Sequence, residues 1–140
     1  MPLVKSVMTP FPHTIEVDAS LEAAQAMMRD HGVRHLPVTR GGRLVGLLSE
    51  RDLRRSLDPA QGLPAGDSLA VGDAALFDPF VVGMSAPLDD VLHEMAERRI
   101  GSALVVKDER IAGIFTATDA CRVLAEQLRA LFPKGDGDAT

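Results

Sequence analysis

Two short stretches of the chain place a hydroxyl residue three positions before an aspartate. In GLLSERDL, Ser49 precedes Asp52, and in GIFTATDA, Thr116 precedes Asp119. Such a hydroxyl can cap a helix by accepting a backbone N–H bond, and a first-turn carboxylate favours the helix dipole. The same turn suits a nucleotide, because its N–H groups attract phosphate and its carboxylate can accept hydrogen bonds from ribose. The spacing alone favours the cap, and it is compatible with both roles.

The two stretches belong to an internal repeat. A shift of 67 residues aligns 4–55 with 71–122 without a gap, and ten of those 52 positions are identical, including Gly46/Gly113 and Asp52/Asp119. Unrelated sequences match at about one position in fifteen. The chain therefore uses one structural unit twice.

Each unit predicts the order strand, helix, strand, strand, helix. In the first unit we predict strands at 13–17, 33–39 and 43–48, a helix from Leu21 that Gly32 ends, and a helix from Ser49 to about Leu57. In the second we predict strands at 80–84, 101–106 and 110–115 and helices at 88–99 and 117–131.

These elements predict a mixed α/β (α+β) fold of two tandem repeats, each a small sheet with two packed helices. One repeat buries too little surface to be stable alone, so we expect the two to pack about a pseudo-twofold axis. We assign repeat 1 to 1–57, a linker to 58–70, repeat 2 to 71–132 and a disordered tail to 133–140.

Composition argues against several classes of function. A net charge of −5 disfavours a general nucleic-acid binder, and the single cysteine, Cys121, cannot form an intrachain disulfide. No apolar run is long enough for a membrane helix, and residues 1–14 do not resemble a signal peptide. A soluble, cytoplasmic protein is expected.

Sequence motifs for catalysis or metal binding are also lacking. The sequence offers no nucleophile, base and orienting group in a recognisable set, and it contains neither a Walker A nor a Rossmann fingerprint. The four histidines do not form a metal-ligand pattern, since Gly32 separates His31 from His35. We therefore expect a binding module with no catalytic residues and no metal site.

The tandem pattern resembles the CBS-domain pair, or Bateman module. Its first copy carries the resemblance most fully, in VKSVMTPFPHTIEVDASL, MMRDHGVRHLPV and GRLVGLLSERDL. The second copy departs from it at 75–77 and at 101–104. The resemblance extends from about Val4 to Leu131 and shifts the interpretation of the hydroxyl–aspartate turn towards ligand binding.

The resemblance implies two clefts for adenosine-containing ligands, each shared between the repeats. One cleft would join Ser49 and Asp52 to Phe80, Val81, Ile100 and Gly101, and the other would join Thr116 and Asp119 to His13, Thr14, Val33 and Arg34. His35 and Ser102 would lie near the phosphates, each in the cleft of its own copy. With Arg34 and His13 beside it, the Asp119 cleft would prefer the more phosphorylated ligand.

The expected ligand is an adenine nucleotide (AMP, ADP or ATP). NAD(H), S-adenosylmethionine and a cyclic dinucleotide are alternatives, and a structural dimerisation module with empty clefts is a rival function. The resemblance also implies a homodimer and an effector protein that acts in trans. For the dimer contact we predict an apolar stripe of Leu88, Val91, Leu92 and Met95, with Leu21, Ala24 and Met28 as its counterpart.

Overall fold

A computed structural model describes residues 1–58 and 69–135. The elements in chain order are β1 (Thr9–Pro10), β2 (Ile15–Glu16), α1 (Leu21–His31), β3 (His35–Arg40), β4 (Arg43–Ser49), α2 (Glu50–Leu57), β5 (Val81–Gly83), α3 (Leu88–Arg98), β6 (Ser102–Lys107), β7 (Arg110–Thr116) and α4 (Ala117–Leu131). Single 3₁₀ turns at Val4–Ser6 and Val71–Asp73 precede each repeat. Most of the predicted linker (59–68) and the last five residues lie outside the described ranges.

The strands form two sheets, one for each repeat. One sheet has the order β2-β3-β4 and the other has the order β1-β7-β6-β5. In each sheet a parallel pair leads into an antiparallel hairpin, and the two hairpins have matching registers, His35 opposite Ser49 and Ser102 opposite Thr116. The mixed α/β fold of two related units is therefore confirmed, and the predicted strand ends shift by at most two residues.

Local signals account for the helix boundaries. Ser20 caps α1 by accepting a hydrogen bond from the backbone N–H of Ala23 at 3.1 Å, and Gly32 ends the helix in the left-handed conformation. Helix α3 begins after Pro87 without a side-chain cap. It ends at Arg99, which takes the left-handed conformation that Gly32 adopts in the first repeat (φ 54°). Within the described ranges, no helix is long and apolar enough to cross a membrane.

The segment that leads into each repeat packs on the other repeat. Strand β1 pairs with β7, and Leu76 forms the equivalent bridge with Leu47 of β4. The N–H of Val4 donates to the carbonyl of Ala86 at 2.9 Å, and that of Val71 donates to Ala19 at 2.7 Å. Both valines are fully buried, each in the core of the repeat that does not contain it. The predicted repeats are therefore not self-contained, since the leading segment of each packs on the other.

The core consists of three clusters. One fills each repeat, and a third joins the two sheets through Leu47, Leu104 and Ile114. The two hairpins also meet at their tips, where Arg43 forms an ion pair with Glu109 at 2.8 Å. The repeats thus share buried surface along their sheets as well as through the exchanged segments.

The predicted dimer stripe was wrong for most of its members. Leu88, Val91 and Met95 are buried in the core of repeat 2, and Leu21, Ala24 and Met28 are buried in that of repeat 1. Leu92 alone is half-exposed. Helical spacing identified an apolar face, but each of these helices uses that face for its own repeat. Exposed apolar side chains lie instead on α4 and just after it, at Leu124, Leu128, Leu131 and Phe132.

The glycine before each motif makes room for the exchanged segment. A Cβ added at Gly46 would lie 2.6 Å from the carbonyl oxygen of Leu76, and one added at Gly113 would lie 2.3 Å from the Sδ atom of Met8. The obstacle at Gly46 is backbone held by two hydrogen bonds between Leu47 and Leu76, of 2.8 and 2.9 Å. The obstacle at Gly113 is a flexible side chain. Gly46 thus permits a close backbone approach beside the cleft.

This difference predicts unequal effects of the same substitution. We expect Gly46→Ala to lower the free energy of unfolding by about 1–3 kcal/mol, because the fixed backbone of Leu76 has to move. Gly113→Ala serves as the matched control and is expected to cost less than about 1 kcal/mol, because Met8 can change rotamer. Urea denaturation of both variants measures the two values, and equal losses would contradict the exchanged-segment contact at Gly46.

Candidate functional site

Both hydroxyl–aspartate turns cap the helices that they begin. Ser49 Oγ accepts a hydrogen bond from the N–H of Asp52 at 3.1 Å, and Thr116 Oγ1 accepts one from the N–H of Asp119 at 3.3 Å. At the second turn the carboxylate of Asp119 also accepts from the backbone N–H of Thr116 at 2.9 Å, which completes a capping box. The helix-cap interpretation of the sequence is thereby confirmed for both turns.

The first turn opens onto a cleft between the two repeats. A cavity of about 260 Å³ lies there. Repeat 1 contributes the start of β3, the end of β4 and the first turn of α2, and repeat 2 contributes the approach to β5, the end of α3 and the start of β6. The lining residues are His35, Leu47, Ser49, Asp52, Leu76, Asp78, Pro79, Phe80, Arg98, Ile100, Gly101 and Ser102.

Five of the six residues predicted for this cleft line the cavity, and so do both residues predicted to lie near the phosphates. Val81 is the exception, since it lies in β5 with an exposed side chain and does not line the cavity. His35 lies in the cleft of its own copy, as expected. Ser102 lines the Asp52 cleft, although the resemblance placed it near the ligand of the Thr116 turn.

The polar groups of the cleft are only partly engaged. Ser49 Oγ donates to Oδ2 of Asp52 at 2.9 Å. Within residues 1–58 and 69–135, Oδ1 of Asp52 has no hydrogen bond or ion pair. Burial lowers the pKa of His35, and the nearby guanidinium of Arg34 lowers it further against the opposing effect of Asp52. At neutral pH the cleft thus offers a free carboxylate oxygen and an uncharged imidazole.

Sequence reasoning missed Arg98, which forms one side of the cleft. Its guanidinium carbon lies 4.8 Å from the centroid of the Phe80 ring, and its Nε donates to Glu94 at 2.7 Å. It also missed the exchanged segment, which contributes Leu76, Asp78 and Pro79. The signal that could have identified Arg98 is the 67-residue shift, because the same shift relates Phe80 to His13 and Arg98 to His31.

The residues predicted for the second cleft are arranged differently. His13 stacks on His31 with ring centroids 3.6 Å apart, in the place of the Phe80–Arg98 contact. Asp119 is buried, and its described polar partners are Thr116 and Arg122. Oδ1 of Asp119 accepts from Nη1 of Arg122 at 3.0 Å. Sequence reasoning did not anticipate this stack.

Three further residues assigned to the second cleft do not contact Asp119 through hydrogen bonds or ion pairs. Arg34 lies 3.8 Å from Glu50 in an exposed ion pair, and Val33 packs against the core of repeat 1. Both line an open groove between α1 and α2. Thr14 is half-buried just before β2. The predicted preference of this cleft for more phosphates therefore gains no support from Arg34.

A metal centre is not indicated in the described part of the chain. Within 1–58 and 69–135, no three His, Cys, Asp or Glu side chains are grouped to hold an ion. The stacked His13 and His31 rings are nearly parallel (16°), so their nitrogen lone pairs do not converge on one point.

Comparison with known proteins identifies the family. The family model of the CBS domain matches twice, at residues 4–59 and 71–126. Hypoxic response protein 1 of Mycobacterium tuberculosis is 30% identical over 119 residues, which cover 82% of this chain and 80% of that protein. It is a relative of similar length.

Solved structures agree with this assignment. The CBS-domain pair of protein MJ0100, solved with 5′-methylthioadenosine and S-adenosyl-L-methionine, has a TM-score of 0.80 and 26% identity, and the match covers 91% of this chain and 98% of that one. CBSX2 in complex with AMP has a TM-score of 0.79 and 28% identity, with 92% and 100% covered. The chain therefore belongs to the CBS-domain family and carries two copies of the domain in tandem.

Proposed function

We propose that this protein is a regulatory module that binds an adenine nucleotide in the Asp52 cleft. The observation that carries the proposal is the cavity between the repeats, in which a carboxylate oxygen of Asp52 has no hydrogen-bond partner among the described residues. A half-buried carboxylate oxygen in a cleft can accept hydrogen bonds from a ligand, and the adjacent hydroxyls of a ribose supply such donors.

The size of the cleft supports a small nucleotide. Its volume of about 260 Å³ lies just below the range of about 300–1,000 Å³ that is usual for small-molecule sites. AMP fits this size better than a dinucleotide such as NAD(H), and ADP or ATP would extend their further phosphates towards the open side. The structural neighbours, solved with AMP or with S-adenosyl-L-methionine and 5′-methylthioadenosine, support an adenosyl ligand.

The remaining walls suit the other parts of such a ligand. Ile100 and Leu47 provide apolar surface for a base, and Gly101 leaves open space where a side chain would protrude. Arg98 is the cation that lines this cavity. Its Nη atoms make no described hydrogen bond, because the bond to Glu94 uses Nε. We assign phosphate binding to Arg98, with the hydroxyl of Ser102 as a further donor.

The proposed output is a change in shape or association that a separate effector protein detects. A homodimer is part of the proposal. The four exposed apolar residues at α4 follow one another at helical spacing, which is typical of an interface. The rival function, dimerisation with empty clefts, shares this surface and differs in ligand binding.

The first prediction separates the cap from the ligand contact at Asp52. In Asp52→Ala, Ser49 retains its hydroxyl and can still cap α2, so stability without ligand is expected to change little. Affinity for AMP is expected to fall by roughly 1.5–3 kcal/mol, about tenfold to a hundredfold, because a charge-assisted acceptor is lost.

Titration calorimetry with AMP and ATP, beside melting curves without ligand, measures both effects. Glu50→Ala, two residues earlier in the first turn of α2 and outside the lining of the cavity, is the control and is expected to keep the parent affinity. Parent-like affinity in Asp52→Ala, or no nucleotide binding by the parent protein, would favour the dimerisation module.

The second prediction concerns pH and His35. The folded chain holds the pKa of this imidazole below its ordinary value of 6.5, so between those two values the unfolded chain binds the extra proton. Stability is therefore expected to fall as pH drops below about 6.5 and to stop falling from this cause below the folded pKa. His35→Gln is expected to reduce that slope, as measured by urea denaturation from pH 7.5 to 5.

The exposed His93, whose side chain is 74% accessible, provides the matched control. His93→Gln is expected to leave the slope as in the parent. If the free energy of unfolding depends on pH equally in the parent and in His35→Gln, the desolvation of His35 does not contribute to that pH dependence.

The third prediction concerns assembly. Leu124→Glu combined with Leu128→Glu is expected to convert the dimer to a monomer, because two charges would be buried in the apolar interface. Light scattering at micromolar concentration measures this. Phe11→Glu alters a still more exposed apolar side chain that is not on α4 and is expected to leave the dimer intact. A monomeric parent protein would contradict the proposal.

A further inference from the structure

The two equivalent aspartates differ in what their carboxylates contact. Asp52 accepts one hydrogen bond, from the Ser49 hydroxyl, and lines an open cavity. Asp119 accepts three, from the N–H and hydroxyl of Thr116 and from the guanidinium of Arg122. Its side chain is 7% exposed, so the second turn presents much less of its carboxylate to a ligand.

An arginine occupies the same position in both repeats, yet the two arginines make different contacts. Arg122 folds back over the first turn of α4, and its Nη1 lies 3.0 Å from Oδ1 of Asp119. Arg55, its equivalent, lines the groove between α1 and α2, and among the described residues it forms no ion pair with Asp52. The sequence shift alone would predict the same contact twice.

We propose that Arg122 is an internal latch on the second cleft. It occupies the carboxylate oxygen that is free in the first cleft, so a nucleoside ligand at the Thr116 turn has to displace the guanidinium before its hydroxyls can bind Asp119. This inference rests on the proposed function of the clefts, and it assigns the stronger nucleotide site to Asp52. Arg122 is a specificity-determining residue that sets the difference between the two clefts.

The latch is weak enough to open. The guanidinium side of the pair is 62% exposed, so solvent screens the interaction and limits its strength. Displacement of an exposed arginine also restores its hydration and its freedom of rotation. The second cleft is therefore expected to bind the same ligand more weakly rather than to exclude it.

Removal of the latch can be measured where the first cleft is weakened. In an Asp52→Ala background, the affinity of the first cleft is expected to fall about tenfold to a hundredfold, so the second cleft contributes a larger share of the remaining AMP binding. We expect Arg122→Met, which keeps an apolar stem, to tighten that binding by about three- to tenfold. Arg55→Met in the same background is the matched control and is expected to leave it unchanged. Titration calorimetry on the full chain gives both affinities.

Weaker or unchanged AMP binding in Arg122→Met overturns the latch, and weaker binding would indicate that Arg122 contacts the phosphate. No AMP binding by the parent or by any variant overturns the proposed function and the latch with it. A measurement without ligand tests the contact itself. Arg122→Met is expected to lower the melting temperature of the parent but not that of Asp119→Asn, and equal effects in the two backgrounds also overturn the latch.

Discussion

The exchange of leading segments between the repeats is the constraint on which the rest of the structure depends. Val4 is buried in repeat 2 and Val71 in repeat 1, so neither core is complete without the other repeat. The exchange also builds the site, because the chain that bridges to Leu47 continues through Asp78 to Phe80 along one wall of the cleft. Stability and ligand geometry are thus coupled, and a change that loosens the bridge at Leu76 also displaces the cleft.

The hydroxyl–aspartate turn reconciles two roles through its hydrogen-bond capacity. The Ser49 hydroxyl accepts from the backbone of Asp52 and donates to its Oδ2, so the cap satisfies the serine and half of the carboxylate. Oδ1 of Asp52 remains as an acceptor, and a ligand can bind it without weakening the helix cap. A capped helix and a ligand site therefore do not compete for the same atoms. At Thr116 the capping box and Arg122 occupy both oxygens, which leaves little capacity for a ligand.

The sequence predicted what depends on local chemistry and periodicity. The order of elements, the caps at Ser49 and Thr116 and the end of α1 at Gly32 follow from residue types at fixed spacing. The family resemblance, applied to the tandem repeat, then grouped most of the residues that line the first cleft. Local pattern does not reveal which sheet a short segment joins, so the exchange and the contribution of Leu76 were missed. Nor does local pattern reveal which apolar face of a helix stays exposed. An apolar stripe such as that of α3 has the same spacing whether it packs inside one chain or against another chain.

Pseudo-symmetry places equivalent positions together, and substitution then gives them different chemistry. Phe80 and Arg98 pair an aromatic ring with a guanidinium, whereas His13 and His31 at the equivalent places stack two imidazole rings. The guanidinium is a fork of N–H donors suited to phosphate, which two stacked imidazole rings do not reproduce. In the proposed function, this contrast and the Asp119–Arg122 pair make the second cleft the weaker site for a phosphorylated ligand. One backbone unit used twice thus presents two clefts that differ through a few side chains.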